Sequence, residues 1–321
     1  MEINGSKKST LHHRPQTRTS LVIHLLSIRW KCKPSPLNAK YLPIKWRKQM
    51  LDQMQTYPII LPKDVRILGT EEEDGIERQT LVVQTPFDYR RMGELFLPEG
   101  DGPFPAILYV HWYEPKAQNS NRSQFEQEAI EMARSGAVCL TIETLWSDPD
   151  FFWKRTQADD AKNSIEEVIN LRRFMDILLS QPTVDAKRFA YVGHDFGGMY
   201  GVLAGSMDQR PTHYIIMAAA PRFSDWYLYF PKLEGSARDA FIQQMSKIDP
   251  IAHIAELSSA PILFQFGDED LHVPSERARE FFEAAKEPKE MKVYEAEHGL
   301  NELSAEDRKE WLRTNLLKVG A

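Results

Sequence analysis

Residues 189–198 read Phe-Ala-Tyr-Val-Gly-His-Asp-Phe-Gly-Gly: a short apolar strand runs into a tight turn, and a small-residue helix over 199–207 follows directly. Glycines at 193 and 197 let the backbone bend sharply enough to lift the central side chain, Asp195, clear of a sheet. A strand delivered straight into a helix in this way belongs to a layered α/β architecture and leaves few other options. The first amides of that helix face whatever stands above the turn, a natural place for negative charge.

The rest of the chain fits this frame. Residues 65–68, 78–85 and 92–98 read as three strands separated by polar or glycine-containing turns. Residues 104–111 form a continuous apolar run, as expected for a strand buried on both faces, and 137–143 reads as the next buried strand. Between them Phe125, Ala129, Met132 and Ala133 recur at helical spacing, and Gly136 marks the stop. The longest amphipathic helix spans 159–180, with Ala161, Ile165, Val168, Leu171, Met175 and Leu178 on its apolar stripe. Further strands are expected at 213–219, 261–266 and 292–295, and a charged helix over 305–318. Alternating strands and helices imply a doubly wound, mainly parallel sheet. The early strands lack intervening helices, so the N-terminal edge is expected to be antiparallel.

Charge is distributed unevenly along the 321 residues. Residues 1–50 hold eleven Lys and Arg against the single acid Glu2, leaving 29 basic and 45 acidic residues, a net −16, for the remainder. The spacing predicts a basic, disordered extension over 1–57 and one folded domain over 58–321. The apolar run 21–28 contains His24 and no small-residue cleavage site follows it, so it is not read as a signal. An acidic body argues against a nucleic-acid surface, and no run is long enough to span a membrane. The two cysteines, Cys32 and Cys139, make no disulfide framework, and Cys139 reads as a buried hydrophobe. The expectation is a cytoplasmic protein with a small-molecule substrate, no metal and no cofactor. Self-association is left open.

Two further polar motifs stand behind Asp195. Gly-Asp-Glu-Asp at 267–270 follows the penultimate strand, and Glu-His-Gly at 297–299 follows the last. Reactive side chains in open α/β sheets gather at the carboxyl ends of the strands, where all three motifs lie. The order nucleophile, acid, histidine along the chain is that of the α/β-hydrolases. From about residue 65 onward the sequence resembles that superfamily, closest to its dienelactone-hydrolase-like group with little or no cap. The resemblance rests on Val-Gly-His-Asp-Phe-Gly-Gly at 192–198, Phe-Gly-Asp-Glu-Asp-Leu-His-Val-Pro at 266–274 and Tyr-Glu-Ala-Glu-His-Gly at 294–299. It implies Asp195 as nucleophile, Asp270 as triad acid with Asp268 as runner-up, and His298 as base. The oxyanion hole would be the amides of Phe196 and Trp112. The loop at 111–115, His-Trp-Tyr-Glu-Pro, departs from the His-Gly-rich turn usual there.

A carboxylate at the position where α/β-hydrolases usually carry serine changes the chemistry. It is ionised without help at neutral pH and can displace a leaving group from saturated carbon, forming an ester on the enzyme. Haloalkane and haloacetate dehalogenases and epoxide hydrolases resemble this chain in their Gly-His-Asp elbow. Attack on an ordinary ester would instead give a mixed anhydride. The expected substrate is small and partly apolar, with an ester, lactone, epoxide or carbon–halogen bond. The interval 221–260 is a long loop and not a cap domain, and Phe196 stands where dehalogenases often have Trp or Arg. His111, Trp112, Tyr113, Trp146, Trp226, Tyr227 and Tyr229 are expected to line the pocket. Against these roles stand plainer ones: Asp195 as a helix N-cap, and the whole chain as an inactive binding scaffold on a hydrolase frame. His194 and His111 are read as structural, and His272 as a solvated neighbour of Asp270.

Overall fold

The computed structural model describes residues 52, 64–73, 75–117, 121–257 and 259–318. The expected extension over 1–57, Asp52 apart, lies outside the described residues. Nine strands form a single sheet in the order β1-β2-β3-β5-β4-β6-β7-β8-β9. They are β1 (Val65–Glu73), β2 (Ile76–Gln84), β3 (Arg90–Pro98), β4 (Phe104–Val110), β5 (Val138–Ile142), β6 (Val184–His194), β7 (His213–Met217), β8 (Ile262–Gly267) and β9 (Lys289–Tyr294). Strands β1, β2 and β3 pair antiparallel, as does β3 with β5, and every pairing from β5 through β9 is parallel. The parallel sheet with an antiparallel N-terminal edge is therefore as expected.

Alternation along each central strand sends side chains to opposite faces. On one face Ile107, Tyr109, Cys139 and Val192 pack with helix α1 (Glu126–Arg134) and with Leu312 of α8 (Glu302–Leu312). On the other, Leu108, Leu140, Tyr191, Ile216 and Phe264 pack with α3 (Gln157–Leu179), α4 (Phe196–Met207) and α7 (Ser275–Ala284). Each such Leu, Ile or Phe taken fully out of water contributes about 1.5–3 kcal/mol, so the two-sided cover anchors the central strands. The six expected stripe residues of α3 are all buried. Cys139 is buried and free, and burial holds its thiol well above its ordinary pKa.

Between β7 and β8 the chain forms two short helices, α5 (Phe223–Tyr227) and α6 (Gly235–Met245), and no cap domain. A four-residue helix, α2 (Phe151–Lys154), follows β5. Among the described residues no helix is long and apolar enough to cross a membrane.

Candidate active site

Strand β6 ends at His194, and α4 begins at Phe196. Asp195 between them adopts φ 51° and ψ −118°, a conformation that L-residues rarely hold and that surrounding structure must enforce. The enforcement is visible. Asp195 N–H donates to Met217 O at 2.8 Å, and Asp195 O accepts from Met199 N–H at 2.9 Å. A Cβ at Gly193 would lie 2.4 Å from Gly197 O, and one at Gly197 only 2.1 Å from Val110 O. Both obstacles are backbone and cannot yield, so glycine is required at each. The Asp195 side chain makes no N-cap hydrogen bond, which removes the plainest structural account of it.

The Asp195 carboxyl is 1% exposed and faces His298. His298 Nε2 lies 3.9 Å from Asp195 Oδ2, an ion-pair distance too long for a hydrogen bond. On its other side His298 Nδ1 donates to Asp270 Oδ2 at 2.8 Å. Asp270 Oδ1 accepts from the amides of His272 at 2.7 Å and Val273 at 3.0 Å, which fixes the carboxylate in the loop after β8. The three residues expected to act together thus converge, from the ends of β6, β8 and β9.

Their charges are coupled. Burial works against a charged His298, but the carboxylates of Asp195 and Asp270 outweigh it and raise its pKa to about 9. Burial pushes the Asp195 carboxyl above the usual carboxylate range; His298 and the amides of Phe196 and Tyr113 offset part of that. Asp270 is held below its ordinary value because His298 and two amides outweigh its burial. Asp195 Oδ1 and His298 Nε2 are both buried and make no hydrogen bond within the described structure.

The second amide near Asp195 corrects one expectation. Trp112 N–H donates to Gln124 Oε1 at 2.9 Å, so it points away from the carboxylate. The N–H that approaches Asp195 alongside Phe196 is that of Tyr113, one residue further along the loop. His111 helps set that path. Its Nδ1 donates to Trp112 O at 2.6 Å, and its Nε2 meets Ser147 Oγ at 2.8 Å and Thr144 Oγ1 at 3.1 Å. Burial keeps the ring neutral, with a pKa of about 4.

A cavity of about 480 Å³ opens above His298. Of the expected lining residues, Trp112, Tyr113, Trp226 and Tyr229 are there. His111, Trp146 and Tyr227 are not: all three are buried in the layer beneath. Trp146 stacks on Tyr200 at 5.0 Å and donates its Nε1–H to His111 O at 2.9 Å, while Tyr227 shares a 2.6 Å hydroxyl contact with Tyr200. Their place in the wall is taken by Phe152 and Phe230. Phe152 sits on α2, where the repeated aromatics Phe151, Phe152 and Trp153 were the available signal. The His298 ring lies between Trp112, 5.5 Å away and nearly parallel, and Trp226, 5.4 Å away and edge-on. Trp226 Nε1–H is buried without a partner. His272 is exposed, as expected for a solvated neighbour of Asp270, and it also stacks on Trp226 at 4.9 Å.

One wall of the cavity is tied down from within. Buried Arg155 pairs with Asp160 at 2.6 Å and donates to the carbonyls of Tyr227 and Phe230, the latter at 2.6 Å. Burial raises Asp160 to about 6 even so, against the pull of Arg155.

A parallel-rich sheet, a strained strand-to-helix turn and acid and histidine loops at the strand ends together define an α/β-hydrolase. The sequence model of peptidase S9, the prolyl oligopeptidase family, matches residues 150–315. That is just over half of the chain, and the chain belongs to this family; it is a hydrolase of the α/β-hydrolase type. Among solved structures it resembles the acetyl xylan esterase of Paenibacillus sp. R4 at 14% identity and TM-score 0.67, covering 84% of this chain and 93% of that one. Acetyl xylan esterase 1 of Thermoanaerobacterium sp. JW/SL YS485 is similar at 14% identity and TM-score 0.66, over 84% and 92% of the two chains. A protein of Klebsiella pneumoniae subsp. pneumoniae MGH 78578 assigned as a dienelactone hydrolase matches at 17% identity and TM-score 0.56, over 76% and 100%. At these identities the likeness is one of fold. No curated protein sequence matches the chain.

Proposed function

We propose that this protein hydrolyses a small, partly apolar substrate at saturated carbon, with Asp195 as nucleophile, His298 as base and Asp270 as the acid that orients it. The observation that carries this reading is the placement of Asp195 at the apex of the strained turn, its carboxylate facing His298 Nε2 at 3.9 Å. A carboxylate oxygen of Asp195 attacks the carbon of a carbon–halogen or epoxide bond and the leaving group departs with the bonding pair. The product of that step is an alkyl ester on Asp195. His298 then takes a proton from water while the hydroxide adds to the Asp195 carboxyl carbon. The amides of Phe196 and Tyr113 stabilise the oxyanion that forms, and collapse of the intermediate releases the alcohol and restores the carboxylate.

The electrostatics favour this order of events. At rest two carboxylates hold His298 charged, a poor state for a base. Alkylation removes the negative charge of Asp195, so the pKa of His298 falls and its proton leaves along with the displaced anion. The ring is thereby neutral when water must be activated. Esters and lactones are weaker candidates because a carboxylate would convert them to an anhydride.

A single turnover in heavy-oxygen water tests the reading, over a panel of haloalkanes, epoxides and esters, with the mass of the Asp195 peptide measured afterwards. Label in the Asp195 carboxyl group is the expected result. Turnover without label, retained in Asp195→Ala, would overturn the nucleophile assignment.

A further inference from the structure

Gln124 belongs to no motif, lies on a short turn before α1 and does not touch the cavity, yet it joins two parts of the site. Its Oε1 accepts from Trp112 N–H at 2.9 Å, and its Nε2 lies 2.6 Å from His194 Nδ1. His194 Nε2 in turn lies 2.9 Å from His298 O. Both ends of this chain are backbone groups of fixed polarity: the Trp112 amide can only donate, and the His298 carbonyl can only accept. The orientation of everything between follows. Gln124 presents oxygen to Trp112 and N–H to His194. His194 accepts at Nδ1 and donates from Nε2, and is neutral with its proton on Nε2. Burial and the nearby charge of His298 keep it uncharged. The indole of Trp112 lies flat on His194, 5.0 Å away at 12°, so the same loop is also fixed by stacking.

We propose that Gln124 and His194 form a positioning relay, one that sets the loop carrying the Tyr113 amide and the backbone of His298 against Asp195. The relay joins the ends of β4, β6 and β9 by hydrogen bonds, beside the stacking of Trp112 on His194 and His298. Its catalytic consequence rests on the nucleophile reading above, but its existence does not. The groups that face the His298 ring are Asp195, Asp270, His272, His194, Trp112 and Trp226. A displaced His298 backbone would loosen its pairing with the first two.

Ring-nitrogen NMR of the ¹⁵N-labelled full chain tests this, with His194 assigned by comparison with His194→Gln. The native protein is expected to show His194 neutral with its proton on Nε2. In Gln124→Glu the second oxygen can only accept, so His194 must carry a proton on Nδ1. Gln124→Met and His194→Phe cut the relay, and the titration of His298 should fall by about one pH unit or more in each. His194→Gln restores an acceptor and a donor at the same spacing and should return the titration to its native position. Melting curves establish that each variant is folded. A native His194 protonated on Nδ1, or a His298 titration unmoved by both cuts, would overturn the relay. Neither readout needs turnover, so an unlabelled Asp195 would count against the nucleophile and leave the relay standing.

Discussion

His298 Nε2 stops 3.9 Å short of Asp195 Oδ2, whereas its Nδ1 closes to 2.8 Å on Asp270 Oδ2. The ring is hydrogen-bonded by one carboxylate and only attracted by the other. Asp270 therefore sets the tautomer and plane of the imidazole, and Asp195 chiefly sets its charge.

That division of labour bears on Asp195→Ser. The turn would then present a hydroxyl to a His298 already oriented by Asp270, as a nucleophile–base–acid set requires. The variant is expected to cleave p-nitrophenyl acetate about tenfold to a hundredfold faster than the native protein. Adding His298→Ala should abolish the gain. Release of p-nitrophenol is the measurement, and a folded variant with no gain would mean the site cannot support acyl transfer.

Stability should depend on pH through His298. Its folded pKa, about 9, lies above its ordinary 6.5. The stabilisation is therefore complete below about 6.5 and lost as pH rises through about 9. Melting temperature is expected to decline across this window, by the equivalent of about 1–3 kcal/mol. Asp270→Asn removes one of the two attractions and should flatten the decline. A native curve flat from neutral to alkaline pH would contradict the coupling. Asp270, held below its ordinary value, acts at the other end: its contribution is lost as pH falls into the acid range.

Trp226 lines the cavity and keeps a buried indole N–H without a protein partner. An unmet donor of this kind costs about 1–3 kcal/mol, which a substrate acceptor can return on binding. In Trp226→Phe the ring remains and the donor goes. For a substrate identified by the labelling panel, kcat/KM is expected to fall about tenfold to a hundredfold with no loss of melting temperature. Unchanged kinetics would show that the substrate never meets this group.

Replacing Arg155 by Met should destabilise the protein by about 3–5 kcal/mol, because Asp160 is left buried without its cation. The double variant Arg155→Met with Asp160→Leu should regain most of that loss. Urea titrations of the native protein, both singles and the double give the coupling energy directly. A single variant that costs under 1 kcal/mol would mean that water reaches Asp160.

The turn itself admits one more test. In Gly197→Ala the new methyl group meets Val110 O at 2.1 Å, with no flexible atom able to move aside. Destabilisation of about 3 kcal/mol or more, read by chemical denaturation, is expected.

Much of this molecule is legible in its sequence. The short, β-branched-rich runs at 104–110 and 137–142 point to strands buried in a sheet, because they are too short for a core helix and are bounded by turn residues. Asp195, Asp270 and His298 were recognisable because each ends a strand in a recurring local motif, and strand ends are where the fold brings separate segments together. What failed depended on the direction of a loop. Without a glycine-rich turn, residues 111–115 take a path set by His111 and Gln124, which moves the available amide from Trp112 to Tyr113. Trp146 and Tyr227 are aromatic and near the right strand ends, but composition says nothing about whether a ring faces the cavity or the layer below. Gln124 gave no signal, since a glutamine acquires meaning only from what stands on both sides of it.

The antiparallel flank β1–β3 contributes no side chain to the cavity, and β1 is the outermost strand on the side away from β8 and β9. At ordinary strand spacing, β1 stands about 24 Å across the sheet from β6. A cysteine placed at exposed Thr70 on β1 would thus provide an attachment point for a bead, a surface or a fluorophore. Of the chain's two cysteines, Cys139 is buried and would not compete for the label, and Cys32 is replaced by serine first. Tethering the protein by this far edge keeps the attachment away from the cleft.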